Sequence, residues 1–202
     1  LDTSVCTVPP SSISGATVTI LKVGTCQLKA SQAGNGTYAA ATDVVYSFTV
    51  DPKPLTITAT VSSASITFGA SAATKGYTNT TLVNPDALSS VTTTFTSSSP
   101  SYTSQSLPSS AGVYVLTPSN PIFSTGLISN YAITYETTTY TINKKTVTVT
   151  AAAKSKDYGQ SDPALTYTNS PDLEVGDSFS GSLLRTAGSS VGTYPINQGS
   201  LS

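Results

Sequence analysis

The sequence predicts an all-β chain of tandem small β-sandwich modules, and three observations predict it. Apolar residues alternate with Thr or Ser in short runs, no run keeps a helical period, and one block of text recurs at a fixed offset of 92 residues. Alternation with β-branched residues places one face inward and the other toward water. It is clearest in Leu55-Thr56-Ile57-Thr58-Ala59, Tyr131-Ala132-Ile133-Thr134-Tyr135, Tyr140-Thr141-Ile142 and Val147-Thr148-Val149-Thr150. The best helical candidate is a single turn near Asp86-Ala87-Leu88.

The recurring block runs Phe48-Thr49-Val50-Asp51, then Leu55-Thr56-Ile57-Thr58-Ala59. It returns as Tyr140-Thr141-Ile142-Asn143, then Val147-Thr148-Val149-Thr150-Ala151. Each copy reads as the last strand of one module, a short joint (Pro52-Lys53-Pro54 or Lys144-Lys145-Thr146) and the first strand of the next. Two further pairs lie inside the units. Thr67-Phe68-Gly69 parallels Asp157-Tyr158-Gly159, and Gly112-Val113-Tyr114-Val115-Leu116 parallels Gly192-Thr193-Tyr194-Pro195-Ile196. The first suggests a ring in the core followed by a turn where glycine takes a positive φ. The second suggests a strand leaving a turn with its tyrosine packed inward.

Three modules follow from this spacing: 1–51, 52–143 and 144–202. The middle one is complete. The first lacks early strands, and the third lacks a counterpart of Tyr131–Ile142, so the chain reads as an excerpt of a longer array.

Charge is scarce, with 9 Lys plus Arg and 10 Asp plus Glu making 9 % of the residues, where an average domain carries about 25 %. Residues 87–135 contain no charged side chain, so neutral hydroxyls and amides must wet that surface. A net charge of −1 without a basic cluster argues against a nucleic-acid partner. No apolar run approaches the roughly 20 residues of a bilayer span, so no membrane insertion is expected in this segment, and an export signal would lie outside it.

Two cysteines occur, Cys6 and Cys26. A metal pair or a redox thiol is the functional alternative to a disulfide. Two ligands without any histidine are too few for zinc, and Cys-x-x-Cys is absent, so a disulfide is favoured. That points to an oxidising, extracellular compartment.

Catalytic chemistry finds little material. The absence of histidine removes the commonest general base and metal ligand. Asp172, Glu174 and Asp177 could in principle serve as glycosidase carboxylates or ligate calcium, but their segment reads as a solvated loop without the twelve-residue calcium pattern. Asn35-Gly36-Thr37 and Asn79-Thr80-Thr81 fit the glycosylation acceptor pattern, with a turn the better reading at Asn35. Eleven tyrosines could offer a platform for sugar rings, although Tyr131, Tyr135 and Tyr140 fall at strand positions where packing is the default. Glu136 is the one middle-module acid placed to assist a Lys–Asn isopeptide, and a surface position is the simpler expectation for it. No catalytic residue, metal site or cofactor is expected.

At these residues a resemblance enters. Lys145-Thr146-Val147-Thr148-Val149-Thr150-Ala151, Lys154-Ser155-Lys156-Asp157-Tyr158-Gly159, Asp162-Pro163-Ala164-Leu165-Thr166-Tyr167, Gly176-Asp177, Ser180-Gly181 and Val191-Gly192-Thr193-Tyr194-Pro195-Ile196 closely resemble the YG-type MBG repeat of bacterial surface proteins. The middle module resembles a divergent relative in which Phe68 replaces the tyrosine and the Asp-Pro-Ala-Leu element is missing. Residues 1–51 resemble the end of a bacterial Ig-like repeat through Val5-Cys6-Thr7-Val8, Gly24-Thr25-Cys26, Ala30-Ser31-Gln32-Ala33-Gly34-Asn35, Tyr38-Ala39-Ala40-Ala41 and Ser47-Phe48-Thr49-Val50. In that family the two cysteines pair.

The resemblance implies Ig-like or β-grasp-like modules strung as stalks in secreted or cell-surface proteins, with no enzyme activity. The expected role is a structural stalk or spacer of an adhesin-like array. The alternatives are a filament or sheath subunit assembled by strand complementation, and a carbohydrate-binding adhesin module. Expected partners are neighbouring repeats or identical subunits, with glycans or a host or cell surface under the last alternative.

Overall fold

The computed structural model describes residues 4–9 and 15–202. The first three residues of the expected 1–51 module, and residues 10–14 within it, lie outside the described residues. Short strands dominate, and the helical content described is one 3-10 turn at Ile128–Asn130. The chain is all-β. It divides into two compact units, one of Leu1–Ile66 with Ala72–Ile142, the other of Thr67–Ser71 with Asn143–Ser202.

The first unit opens with two ribbons. Strand β1 (Cys6–Thr7) pairs antiparallel with β2 (Thr19–Ile20), and β3 (Gly24–Ala30) pairs antiparallel with β4 (Val44–Val50), setting Cys26 opposite Phe48. A Cys6–Cys26 disulfide, with Cα atoms 5.6 Å apart, stitches the ribbons together. Val5, Val18, Leu28, Phe48 and Val50 pack around it. The turn expected at Asn35 is present: its side-chain oxygen accepts from the N–H groups of Thr37 and Tyr38, both at 2.9 Å. This is the local bond that makes asparagine a turn former.

Only Asp51 and Pro52 separate β4 from β5 (Lys53–Val61). β5 is the centre of a three-stranded sheet, flanked by β7 (Lys75–Asn79) running antiparallel and β11 (Tyr131–Glu136) running parallel. The second sheet is five-stranded. Its order is β6 (Ser65–Thr67), β12 (Thr138–Asn143), β10 (Gly112–Thr125), β8 (Ala87–Ser98), β9 (Ser101–Ser104). Leu55, Ile57 and Tyr131 of one sheet meet Leu88, Val91 and Phe123 of the other, which makes a two-layer sandwich around one core. Phe95, Tyr114, Leu116, Tyr140 and Ile142 are buried as well. The inward residues of β5 are thus the apolar partners of its alternating text.

The one helical candidate, near Asp86–Leu88, is not helical. Ala87 begins the long strand β8, and a bond from Asp86 N–H to Val83 O closes a turn just before it. Apolar Leu88 and Val91 satisfy a helical spacing of three, but β8 uses them to cover the core from a strand. The long β8–β10 ladder shifts register between Ser119 and Ile122. Pro121 has no N–H to give the ladder and Asn120 takes a φ of 45°, so the strand bulges there.

The second unit holds two small ribbons. β13 (Thr148–Ala151) pairs with β14 (Tyr167–Ser170), and β15 (Leu184–Arg185) pairs with β16 (Ile196–Asn197). Among its residues, all described, only Leu201 is buried.

Three local structures recur between 52–143 and 144–202. The turn Thr67–Ala70, closed by Ala70 N–H to Thr67 O at 2.9 Å, matches Asp157–Gln160, closed by Gln160 N–H to Asp157 O at 3.2 Å. Gly69 and Gly159 sit at the third position with φ of 85° and 87°, the conformation such a turn reserves for glycine. In the strand pairs that follow, Tyr77 lies opposite Ala59 and Tyr167 opposite Ala151. Gly112 and Gly192 then lead to Tyr114 and Tyr194, whose hydroxyls bond four residues back.

The expectation of a core ring before each glycine is corrected by Tyr158, which is 79 % exposed; Phe68 is half-buried. Both occupy the second position of the turn, where the side chain projects off the bend rather than into the strand pair.

Candidate functional site

The densest polar constellation forms in the second unit, around Asp162. Its carboxylate receives Lys156 Nζ at 2.6 Å and Arg185 Nη2 at 3.1 Å, with Arg185 Nε at 3.2 Å. These two cations, Lys156 first, hold Asp162 below the usual carboxylate range. Arg185, the one arginine of the chain, reaches further. It donates to the carbonyls of Thr186 at 2.7 Å and Gly188 at 3.2 Å, and its guanidinium lies 4.9 Å from the Tyr194 ring centroid. Tyr194 in turn donates to Ser190 O at 2.8 Å. The cluster therefore ties the Asp162-Pro163 segment, the 186–190 loop and the 192–195 segment leading into β16 together. Every one of its charges is paired. It is bracing, with one carboxylate shared by two cations.

The acidic residues singled out from the sequence do not converge. Glu174 pairs with Lys145 Nζ at 2.8 Å, the same ammonium donates to Asp172 O at 3.0 Å, and Asp177 N–H closes a turn onto Glu174 O. Among the described residues no group of three or more His, Cys, Asp or Glu is arranged to hold a metal ion. Glu136 lies at the surface and accepts from the Thr58 hydroxyl at 2.8 Å. Asn79 ends β7, and its amide donates to Thr80 O.

Most of the tyrosines with ring partners serve packing. Tyr140 meets Phe95, Tyr114 meets Tyr102 edge-on, and Tyr131 stacks on Phe123. Tyr131 and Tyr140 are buried as expected, whereas Tyr135 is more open, near the far end of β11. The Tyr131 hydroxyl donates to Asp86 Oδ2 at 2.7 Å and accepts from Val83 N–H at 3.0 Å. Burial, then the bond to Asp86, raises its pKa. A shallow open depression beside β10 is lined by Thr96, Ser97, Ser98, Ser99, Val113 and Val115 and contains no titratable side chain.

Sequence reading missed Arg185. Its signal was only its isolation as a lone arginine, because its partners lie 23 residues upstream and 9 downstream.

Residues 147–202 match the family model of the MBG domain, YGX type. That family is typical of repeats in bacterial surface proteins. No curated protein and no solved structure matches the chain. The matched span holds the Asp162 cluster, the Gly159 turn and the Tyr194 bond, so the family's stretch is where the bracing sits. Among the described residues no helix is long and apolar enough to cross a membrane.

Proposed function

We propose that this chain is a non-enzymatic structural segment of an extracellular bacterial surface protein, a stalk or spacer in an adhesin-like repeat array. One observation carries the reading: the same glycine turn, the same Tyr-opposite-Ala strand pair and the same tyrosine bond recur in 52–143 and in the stretch matching the MBG domain. On this reading 52–143 is a divergent MBG-like module, 144–202 a YG-type module, and 1–51 an Ig-like module held by its disulfide.

The short joint after the first module supports a stiff connection there rather than a flexible one. β4 ends at Val50 and β5 begins at Lys53, a gap stiffened by Pro52. Val23 N–H also donates to Asn130 Oδ1 at 3.2 Å, tying the disulfide ribbons to the 52–143 sandwich within one unit. Mechanism here is geometry: each module adds length, and cores, cluster and disulfide resist extension.

Glycan-array screening of the purified chain tests this against the carbohydrate-binding alternative. Silence across the array is expected. Saturable binding of one glycan class, abolished by substituting exposed tyrosines such as Tyr46 or Tyr38, would overturn the spacer reading.

A further inference from the structure

The turn that carries Phe68 and Gly69 lies in the sequence of the middle module, yet it belongs to the second compact unit, which takes in Thr67–Ser71 together with Asn143–Ser202. Phe68 N–H donates to Asn143 O at 2.8 Å. Glu174 comes down on Gly69 itself: a Cβ built there would lie 3.1 Å from the Glu174 Cδ and closer still to Oε1, inside contact distance.

A free glutamate would swing aside for a methyl group, but Glu174 is held. Lys145 Nζ binds its Oε1 at 2.8 Å and also donates to Asp172 O at 3.0 Å, while Asp177 N–H closes onto Glu174 O at 3.0 Å. The Lys145 and Glu174 side chains are 26 % and 39 % exposed, so the pair is partly screened and its loss is a modest, measurable change.

Gly159 separates two reasons for a glycine. It holds the same turn position with a φ of 87° against 85° at Gly69, yet a Cβ there meets nothing within 4 Å. Positive φ accounts for glycine at both positions. Only at Gly69 does the missing side chain also make room for an acid.

We propose that the aromatic–glycine turn of 52–143 is the seat for the acidic loop of the module that follows it, with Lys145 and Glu174 as the latch. The bare α-carbon of Gly69 receives the carboxylate, Lys145 in the joint fixes that carboxylate, and Asp172 O fixes Lys145. The partner this surface fits is the next repeat of the same chain, with a lysine in its joint and a glutamate in the loop after β14. The motif then works at a joint rather than in a strand-pair core. The proposal rests on reading 52–143 and 144–202 as successive modules.

Amide exchange in the full chain reads each side of the seat from the other. Gly69→Ala should speed exchange at Asp177 about five-fold. Gly159→Ala carries the same backbone strain without the contact and should have clearly less effect there. In the opposite direction, Glu174→Ala should speed exchange at Ala70, whose N–H closes the turn onto Thr67 O. Without Glu174, Gly69→Ala should cost no more than Gly159→Ala in urea unfolding of the second unit, and Lys145→Ala, which frees the carboxylate to swing away, should lessen the Gly69→Ala loss in the same sense.

Equal acceleration of Asp177 by the two alanines, an Ala70 amide indifferent to Glu174→Ala, or a Gly69→Ala loss that persists in full without Glu174 would overturn the seat and leave Gly69 a turn glycine only. The Ala70 reading keeps Gly69 intact, so it decides the matter if Gly69→Ala does not fold. Glycan binding, by which the spacer reading falls, plays no part in these outcomes.

Discussion

The hydroxyl of Tyr114 donates to the carbonyl of Ser110 at 2.7 Å, across the glycine turn from which β10 departs. Tyr194 makes the same bond to Ser190 at 2.8 Å, in matching text, Ser-Ser-Ala-Gly-Val-Tyr against Ser-Ser-Val-Gly-Thr-Tyr. The arrangement is a tyrosine corner, in which a ring fixed by packing pins its own approach loop. Tyr114 is fully buried and Tyr194 half-buried. Tyr114→Phe should therefore lower stability by about 1 kcal/mol, and Tyr194→Phe by clearly less, in urea unfolding followed by circular dichroism. Equal losses would contradict the difference in burial.

Counterpart positions should respond unequally in the core as well. Ile57 is wholly buried and Val149 half-exposed. Ile57→Ala should cost about 2–5 kcal/mol and Val149→Ala under about 1.5 kcal/mol, read from the separate unfolding transitions of the two units.

The Cys6–Cys26 bridge spans a sequence separation of 20. Closing a loop of that size stabilises by about 3 kcal/mol in the chain-entropy account. Replacing both cysteines with serine should therefore speed amide exchange in β3 and β4 by roughly a hundred-fold, while the β5–β11 amides change little.

Acid and alkali should act on different units. A folded-state pKa held low, as at Asp162, contributes stability above the unfolded value of about 3.9 and loses it as the pH falls through the folded value. The second unit should loosen below about pH 4, and Asp162→Asn should remove that pH dependence. Burial raises Tyr114 and Tyr131, helped by Tyr102 beside the first and the bond to Asp86 at the second. Their contribution is complete below about pH 10 and is lost as the pH rises further. Alkaline unfolding of the first unit, followed by tyrosinate absorbance, should shift in Tyr131→Phe.

Much of the fold was legible because alternation and turn chemistry are local. Leu55–Ala59, Tyr131–Tyr135 and the Asn35 turn needed only their immediate neighbours to be read. The cysteine pairing rested on there being just two cysteines. What local text could not show was set by distant partners. Leu88 and Val91 became strand residues because the facing sheet needed them, Tyr158 stayed outside because of its place in a turn, and Arg185 found Asp162 and Tyr194 only through the fold.

Single-molecule extension of the 202-residue chain between its ends tests the spacer claim most directly. We expect discrete unfolding events, with reduction of Cys6–Cys26 lengthening the fully extended chain by roughly 70 Å, about 3.5 Å for each residue the bridge had sequestered. Featureless extension at low force, identical with and without reductant, would contradict a force-resisting role for these modules.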